Sequence, residues 1–199
     1  MPEGTRMSQH DADPYLAASF SLSNRLMRFA WGIIYALLFR PSPRPAHAWR
    51  SFLLRCFGAR MGWACHIYPK AIIWAPWNLF CGETVAIADG AIVYNPRPII
   101  LGSHATISQE AYLCGATHDY EDPAFPLVSY EISIGSYAWI CARATVQPGI
   151  AVGEGAVLAL ASVATRNLDP WTVYAGVPAR AVKKRLTKGA ERAATGGNR

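Results

Sequence analysis

The sequence predicts an all-β solenoid carrying an N-terminal helical segment and a short C-terminal helix, and three observations predict it. Residues 134–169 repeat every six residues without a break: IGSYAW, ICARAT, VQPGIA, VGEGAV, LALASV, ATRNLD. The same register appears in pieces upstream, where Ile67, Ile73, Leu79 and Val85 are six apart, as are Leu101, Ile107 and Leu113. An N-terminal third rich in arginine and a basic C-terminal stretch flank this repeat without sharing it.

Taken in order, residues 1–19 are a polar leader read as disordered, and residues 20–60 are the helical segment. Residues 14–82 contain no Asp or Glu, yet Arg25, Arg28, Arg40, Arg44, Arg50, Arg55, Arg60 and Lys70 fall there. Ser23 is read as the cap of a helix carrying Leu26, Phe29, Ile33, Ile34, Leu37 and Leu38, which ends at Arg40 before PSPRP. A second amphipathic piece, HAWRSFLLRCFGA, stops at Gly58. The apolar run of residues 29–39 is shorter than the roughly 20 residues a spanning helix needs, so it is not expected to cross a bilayer. It follows a polar leader and precedes no small-residue cleavage site, unlike a secretory signal. The helices either cover the open end of the solenoid or lie on an anionic membrane surface, and the two readings are compatible. The net charge of +6 also suggests nucleic acid, but no recognition motif or aromatic sheet signature accompanies it, and no nucleic-acid partner is expected.

Residues 61–175 are the solenoid. A helix of 3.6 residues per turn cannot hold a six-residue register on one face, whereas short strands separated by tight bends can. The opening aliphatic of each unit is expected to point inward and stack on its equivalents, with small residues where the backbone bends. Slips of two residues near Val85 and Ile87, and near Ile99 and Leu101, read as bulges or longer corners. Within residues 115–133 the repeat stops at GATHDYEDPAFPLVSYE, which reads as a loop thrown outward from the stack. Five cysteines, odd in number and without a CxxC pair, argue against a disulfide framework or zinc ribbon and for a reducing, cytoplasmic home. Inert packing is the reading for those in the repeats. Residues 176–199 are a compact turn at Gly176, Pro178 and Arg180, a short basic helix and a disordered tail.

The run IGSYAWICARATVQPGIAVGEGAVLALASVATRNL with PWTVYAGVPAR resembles the hexapeptide-repeat acyltransferases, near the galactoside and maltose O-acetyltransferases. LLFRPSPRPAHAWRSFLLRCFGA, YLCGATHDYEDPAF and PWTVYAGVPA narrow the resemblance to the colanic-acid-type exopolysaccharide O-acetyltransferases, over roughly residues 20–185. The resemblance implies a left-handed parallel β-helix, a homotrimer with sites between subunits, acetyl-CoA as co-substrate, no metal and a saccharide acceptor. That acceptor is an exopolysaccharide or lipid-linked intermediate, which suits cationic helices in peripheral contact with the inner face of the membrane.

The resemblance also assigns residues. His118, in THDY, corresponds to the catalytic histidine that takes the proton of the attacking hydroxyl and returns it to the departing thiolate; an ordinary imidazole pKa of about 6.5 suits that task. Asn95, in IVYNP, matches an asparagine that orients the acceptor or the reacting carbonyl, although Asn before Pro is also a common turn former. Trp139 matches an aromatic lining the acetyl and pantetheine channel, with a packing role as the competing reading. Cofactor contacts carry over to Ala142, Leu160, Thr165, Arg166 and Arg180, with Lys183 or Lys184 reaching CoA phosphates. Asp119 and Asp122 either orient His118 or terminate its loop. The chain departs from the family at Cys141, which replaces a glycine, and at LALAS in place of GAGS, where Leu160 narrows the adenine end.

Two other classes compete. A γ-class carbonic anhydrase shares the β-helix but needs three zinc-binding histidines, and no second histidine follows His118 closely. A non-catalytic scaffold at a membrane surface, its groove decayed, draws on the Cys141 and Leu160 departures. Among enzymes, an N-acyltransferase of an amino sugar is the nearest competitor, but no GxGxxG marks a nucleotide-binding domain.

Overall fold

A computed structural model describes residues 20–186 of the 199. The chain winds as a left-handed parallel β-helix whose three faces are built from strands numbered along the chain. The first face stacks β1 (Arg60–Met61), β4 (Leu79–Cys81), β7 (Ile99–Leu101), β12 (Ile132–Ile134) and β15 (Ala151–Val152). The second stacks β2 (His66–Ile67), β5 (Ala86–Ile87), β8 (Thr106–Ile107), β13 (Trp139–Ile140), β16 (Val157–Leu158) and β18 (Thr172–Gly176). The third stacks β3 (Ile72–Ile73), β6 (Ile92–Tyr94), β9 (Tyr112–Cys114), β14 (Thr145–Val146) and β17 (Val163–Ala164).

The six-residue period becomes three buried columns. Cys81, Leu101, Ile134 and Val152 line one face, Ile67, Ile87, Ile107, Ile140 and Leu158 the second, and Ile73, Val93, Leu113, Val146 and Ala164 the third. Each aliphatic removed from water contributes about 1.5–3 kcal/mol, which is why the register is kept so strictly. The small residue at the second position answers a close approach of coils. A Cβ on Gly62, Gly82, Gly102, Gly135 or Gly153 would lie 2.3–2.6 Å from backbone of the next coil. At the corner that follows, Ala64, Thr84, His104, Tyr137 and Trp171 adopt left-handed φ of 50–63°. Their amides, from Thr84 onward, donate to carbonyls one coil back at 2.8–2.9 Å, and these bonds offset the strain.

The phase slips resolve to one corner, between the third and first faces. Cys81 pairs with Leu101, twenty residues on, whereas Ile134 pairs with Val152, eighteen on. The extra pair of residues lies between Ile73 and Cys81, which include a 3-10 turn at Pro76–Asn78, and again between Val93 and Leu101. The first slip therefore falls earlier than the position near Val85 and Ile87 that the sequence suggests. Leu79 and Cys81 both face inward, so the six-residue count passes through Leu79 without a visible fault.

Two further expectations are corrected. The helix α1 (Leu22–Ile34) is capped by Ser21, whose Oγ accepts from the Asn24 amide at 3.3 Å; Ser23 lies inside the helix. A π-helical turn, Tyr35–Phe39, continues α1 before α2 (His47–Cys56). After the GVPAR turn the chain forms not a helix but β19 (Ala179–Lys184), antiparallel to β18, because its amides and carbonyls complete the open edge of the second face. The leader, and any helix or tail beyond residue 186, lie outside the described residues.

The helices cover the first coil. The Trp31 indole donates to the Ile73 carbonyl at 2.7 Å and its ring packs with Tyr35, Phe39 and Phe57. From α2, Leu53 and Leu54 are buried, and the fully buried Arg50 donates through Nε to the Ile67 carbonyl at 2.6 Å.

Candidate active site

The repeat interruption sits at the corner that carries the phase slips, expanded in one coil from a few residues to a β-hairpin. Leu101 pairs with Ile134, thirty-three residues on. The chain leaves the stack at Gly115, whose amide donates to the Tyr94 carbonyl at 2.7 Å and whose missing Cβ would lie 2.5 Å from that oxygen. It returns through β10 (Ala116–His118) and β11 (Leu127–Ser129), an antiparallel pair with His118 opposite Leu127 at its outer end.

His118 is exposed, and its ring lies flat on Phe125 with centroids 4.4 Å apart. Its Nδ1 is 2.9 Å from the Phe125 carbonyl oxygen. A carbonyl only accepts, so Nδ1 holds the proton and the lone pair of a neutral imidazole is left on Nε2. The carboxylates of Asp119 and Asp122 do not do this orienting. Each accepts an amide two residues on, from Glu121 at 3.1 Å and Ala124 at 2.8 Å, and so folds the tip of the hairpin. Phe125, which nothing in the sequence marks, is the residue that positions the histidine.

Asn95 lies at the same corner one coil earlier and is fully buried. Its Oδ1 accepts the Ala75 amide at 2.9 Å and its Nδ2 donates to the Ala75 carbonyl at 2.7 Å. The amide is thus bonded across coils.

The remaining candidates fall in three places. Ala142 and Leu160 occupy adjoining rungs of the corner between the second and third faces, joined by the Ala161 amide donating to the Ala142 carbonyl at 3.0 Å. Ser162 Oγ accepts the Gly176 amide at 3.0 Å, which brings the β18–β19 turn and Arg180 to the same corner. Trp139 stands half-exposed on the second face, its indole donating to Ser108 Oγ at 2.8 Å, and shares a cleft of about 400 Å³ with Lys183, Lys184, Val157 and Val173. Thr165 and Arg166 follow β17 at the corner from which the hairpin also emerges, two coils further along. One chain therefore displays His118 and the Ala142–Leu160 edge on different corners of the prism.

Leu160 is 67% exposed on its edge, while Cys141 is buried, and burial pushes its thiol up, as it does those of Cys65 and Cys81. Neutral, enclosed thiols are poor nucleophiles. His104 lies on a third corner, bonded to Thr84 Oγ1 and stacked on Tyr137 at 4.7 Å, so it does not converge with His118.

No family model matches the chain. It is 34% identical over 156 residues, 78% of this chain and 86% of the relative, to WcaF of Escherichia coli (strain K12), named as a colanic acid biosynthesis acetyltransferase. It is similar in structure to a hexapeptide-repeat-containing acetyltransferase from Vibrio cholerae O1 biovar eltor complexed with acetyl coenzyme A. That likeness has a TM-score of 0.75 and 24% identity over 85% of this chain and 93% of the other. A galactoside acetyltransferase in complex with coenzyme A gives a TM-score of 0.77 at 20% identity, over 85% and 86% of the two chains.

Proposed function

Because this chain belongs to the hexapeptide-repeat acetyltransferases, the family of WcaF, we propose that it transfers acetyl from acetyl-CoA to a hydroxyl of a saccharide, with His118 as the general base. The acceptor is an exopolysaccharide or lipid-linked oligosaccharide intermediate. The observation that carries the reading is the hydrogen bond from His118 Nδ1 to the Phe125 carbonyl, since it leaves Nε2 outward and able to accept a proton.

In the reaction, the hydroxyl oxygen attacks the thioester carbonyl as its proton passes to Nε2. The imidazolium is stabilised by its Nδ1–H bond to Phe125. When the tetrahedral species collapses, the carbon–sulfur bond breaks and Nε2 returns the proton to the thiolate. Arg180, Lys183, Lys184 and Arg185 on and beside β19 supply positive charge suited to the phosphates of CoA. Trp139 lines the channel between them and the reacting group, and Ala142 and Leu160 present backbone to the pantetheine.

Because His118 and the Ala142–Leu160 edge lie on different corners of one chain, a homotrimer that sets the hairpin of one subunit against the edge of the next supplies a complete site. Asn95 serves this site by holding the hairpin's corner rather than by touching the acceptor.

The test is calorimetric titration of acetyl-CoA followed by turnover. Wild-type protein is expected to bind one acetyl-CoA per chain. His118→Ala is expected to keep that affinity while its transfer rate to a saccharide acceptor drops by about 10²- to 10⁴-fold. Near-normal turnover in this variant would remove His118 from the role of base.

A further inference from the structure

We propose that the N-terminal helical cap docks on an anionic lipid bilayer, with α1 lying in the plane of the interface. Leu22, Leu26, Phe29, Ile33 and Leu37 follow at spacings of three and four along α1 and its π-helical continuation, so they share one side. They are 44–70% exposed, while Trp31, on the opposite side, is 4% exposed against the solenoid. The apolar stripe therefore points away from the molecule. Leu38, Trp49 and Phe52 extend it. The Trp49 indole donates to the Leu38 carbonyl at 3.1 Å and stacks on Phe52 at 5.7 Å, and all three side chains are exposed. Contiguous exposed apolar surface of this kind marks an interaction site.

Charge selects the occupant. No Asp or Glu lies in residues 14–82, and among the described residues the region's one ion pair is Arg44 with Asp89, at 3.2 Å. Arg25 and Arg40, at the two ends of the stripe, carry charge with no acidic partner among the described residues. A second copy of this chain would bring the same arginines together, whereas phosphate headgroups neutralise them. No helix among the described residues is long and apolar enough to cross a membrane, which leaves an in-plane seat. This docking does not rest on the transfer reaction.

Flotation of the full chain with phosphatidylcholine vesicles, with and without phosphatidylglycerol, tests it. The protein is expected to float with the phosphatidylglycerol vesicles and to be released by salt. Leu26→Gln with Phe29→Gln is expected to lose at least about tenfold in partitioning. Both positions are exposed, so its melting temperature and acetyl-CoA affinity should match wild type. Arg25→Gln is expected to lose roughly fivefold, on anionic vesicles only. Wild-type protein that stays with the soluble fraction, or a double variant that floats equally well, overturns the proposal. So does a double variant that changes oligomeric state while wild type ignores vesicles, since the stripe then belongs between copies.

Discussion

At Asn95 a side-chain amide replaces a rung of the ladder. It bonds both backbone groups of Ala75, the residue at the equivalent place one coil earlier, where the wide corner between faces prevents the strands from pairing. Asn95→Ala leaves the Ala75 N–H buried without a partner, while the Ala75 carbonyl keeps the Asn78 amide at 3.0 Å, so a stability loss of about 1–3 kcal/mol is expected by denaturant titration. Transfer per folded molecule should change far less than in His118→Ala. A large loss of rate at unchanged stability would return Asn95 to direct contact with the acceptor. The outward hairpin that carries His118 was legible because the repeat stops there. The partners of the two side chains were not, since the Ala75 contact is twenty residues distant and the Phe125 carbonyl is a backbone group that no residue type announces.

Among elements, the strands were legible for a simple reason: burial selects a residue type every sixth position, and the columns keep it. The helical segment was less so. Periodicity identifies an apolar stripe but not which side meets the protein, and here Trp31 and Phe39 bury while Phe29 and Leu37 face outward. The cap is instead anchored by a polar device. Arg50 reaches the Ile67 carbonyl through Nε, Ser42 Oγ and the Pro43 carbonyl through Nη1, and the Arg44 carbonyl through Nη2, at 2.6–2.8 Å. One planar fork thus ties α2, the PSPRP connection and the first coil together. Lysine has three donors on a single nitrogen and cannot span these four acceptors. Arg50→Lys is therefore expected to cost about 2–4 kcal/mol, read as a lower melting temperature and as faster amide exchange in α2 than in the strands. Unchanged exchange in α2 would mean that the aromatic packing of Trp31 alone holds the cap. The C-terminal strand was misread for a related reason, since a basic run has no preference strong enough to outweigh an open sheet edge beside it.

Taken whole, the molecule encloses weak acids that it does not pair with bases. Burial is the largest cause of the raised pKa at Cys65, Cys81, Cys141, Tyr35, Tyr94 and Tyr112; at Tyr112 a hydrogen bond with Cys114 adds to it. In the unfolded chain these groups ionise near their ordinary values, about 8.5 for thiols and 10 for phenols. The folded chain keeps its protons to higher pH. Between the two, the unfolded state binds fewer protons than the folded one, so stability falls as pH rises. Their contribution is complete below about pH 8 and is lost progressively above it. The melting temperature is therefore expected to be level from about pH 7 to 8 and to decline from about pH 8.5 to 11. Cys81→Ala should flatten the first part of the decline, because that thiol is buried in the column of the first face and burial raises its pKa well above the ordinary value. A melting temperature unchanged to pH 10.5, roughly two units above the ordinary thiol value, would show that water reaches these groups in the folded state and that the stack is looser than its columns imply.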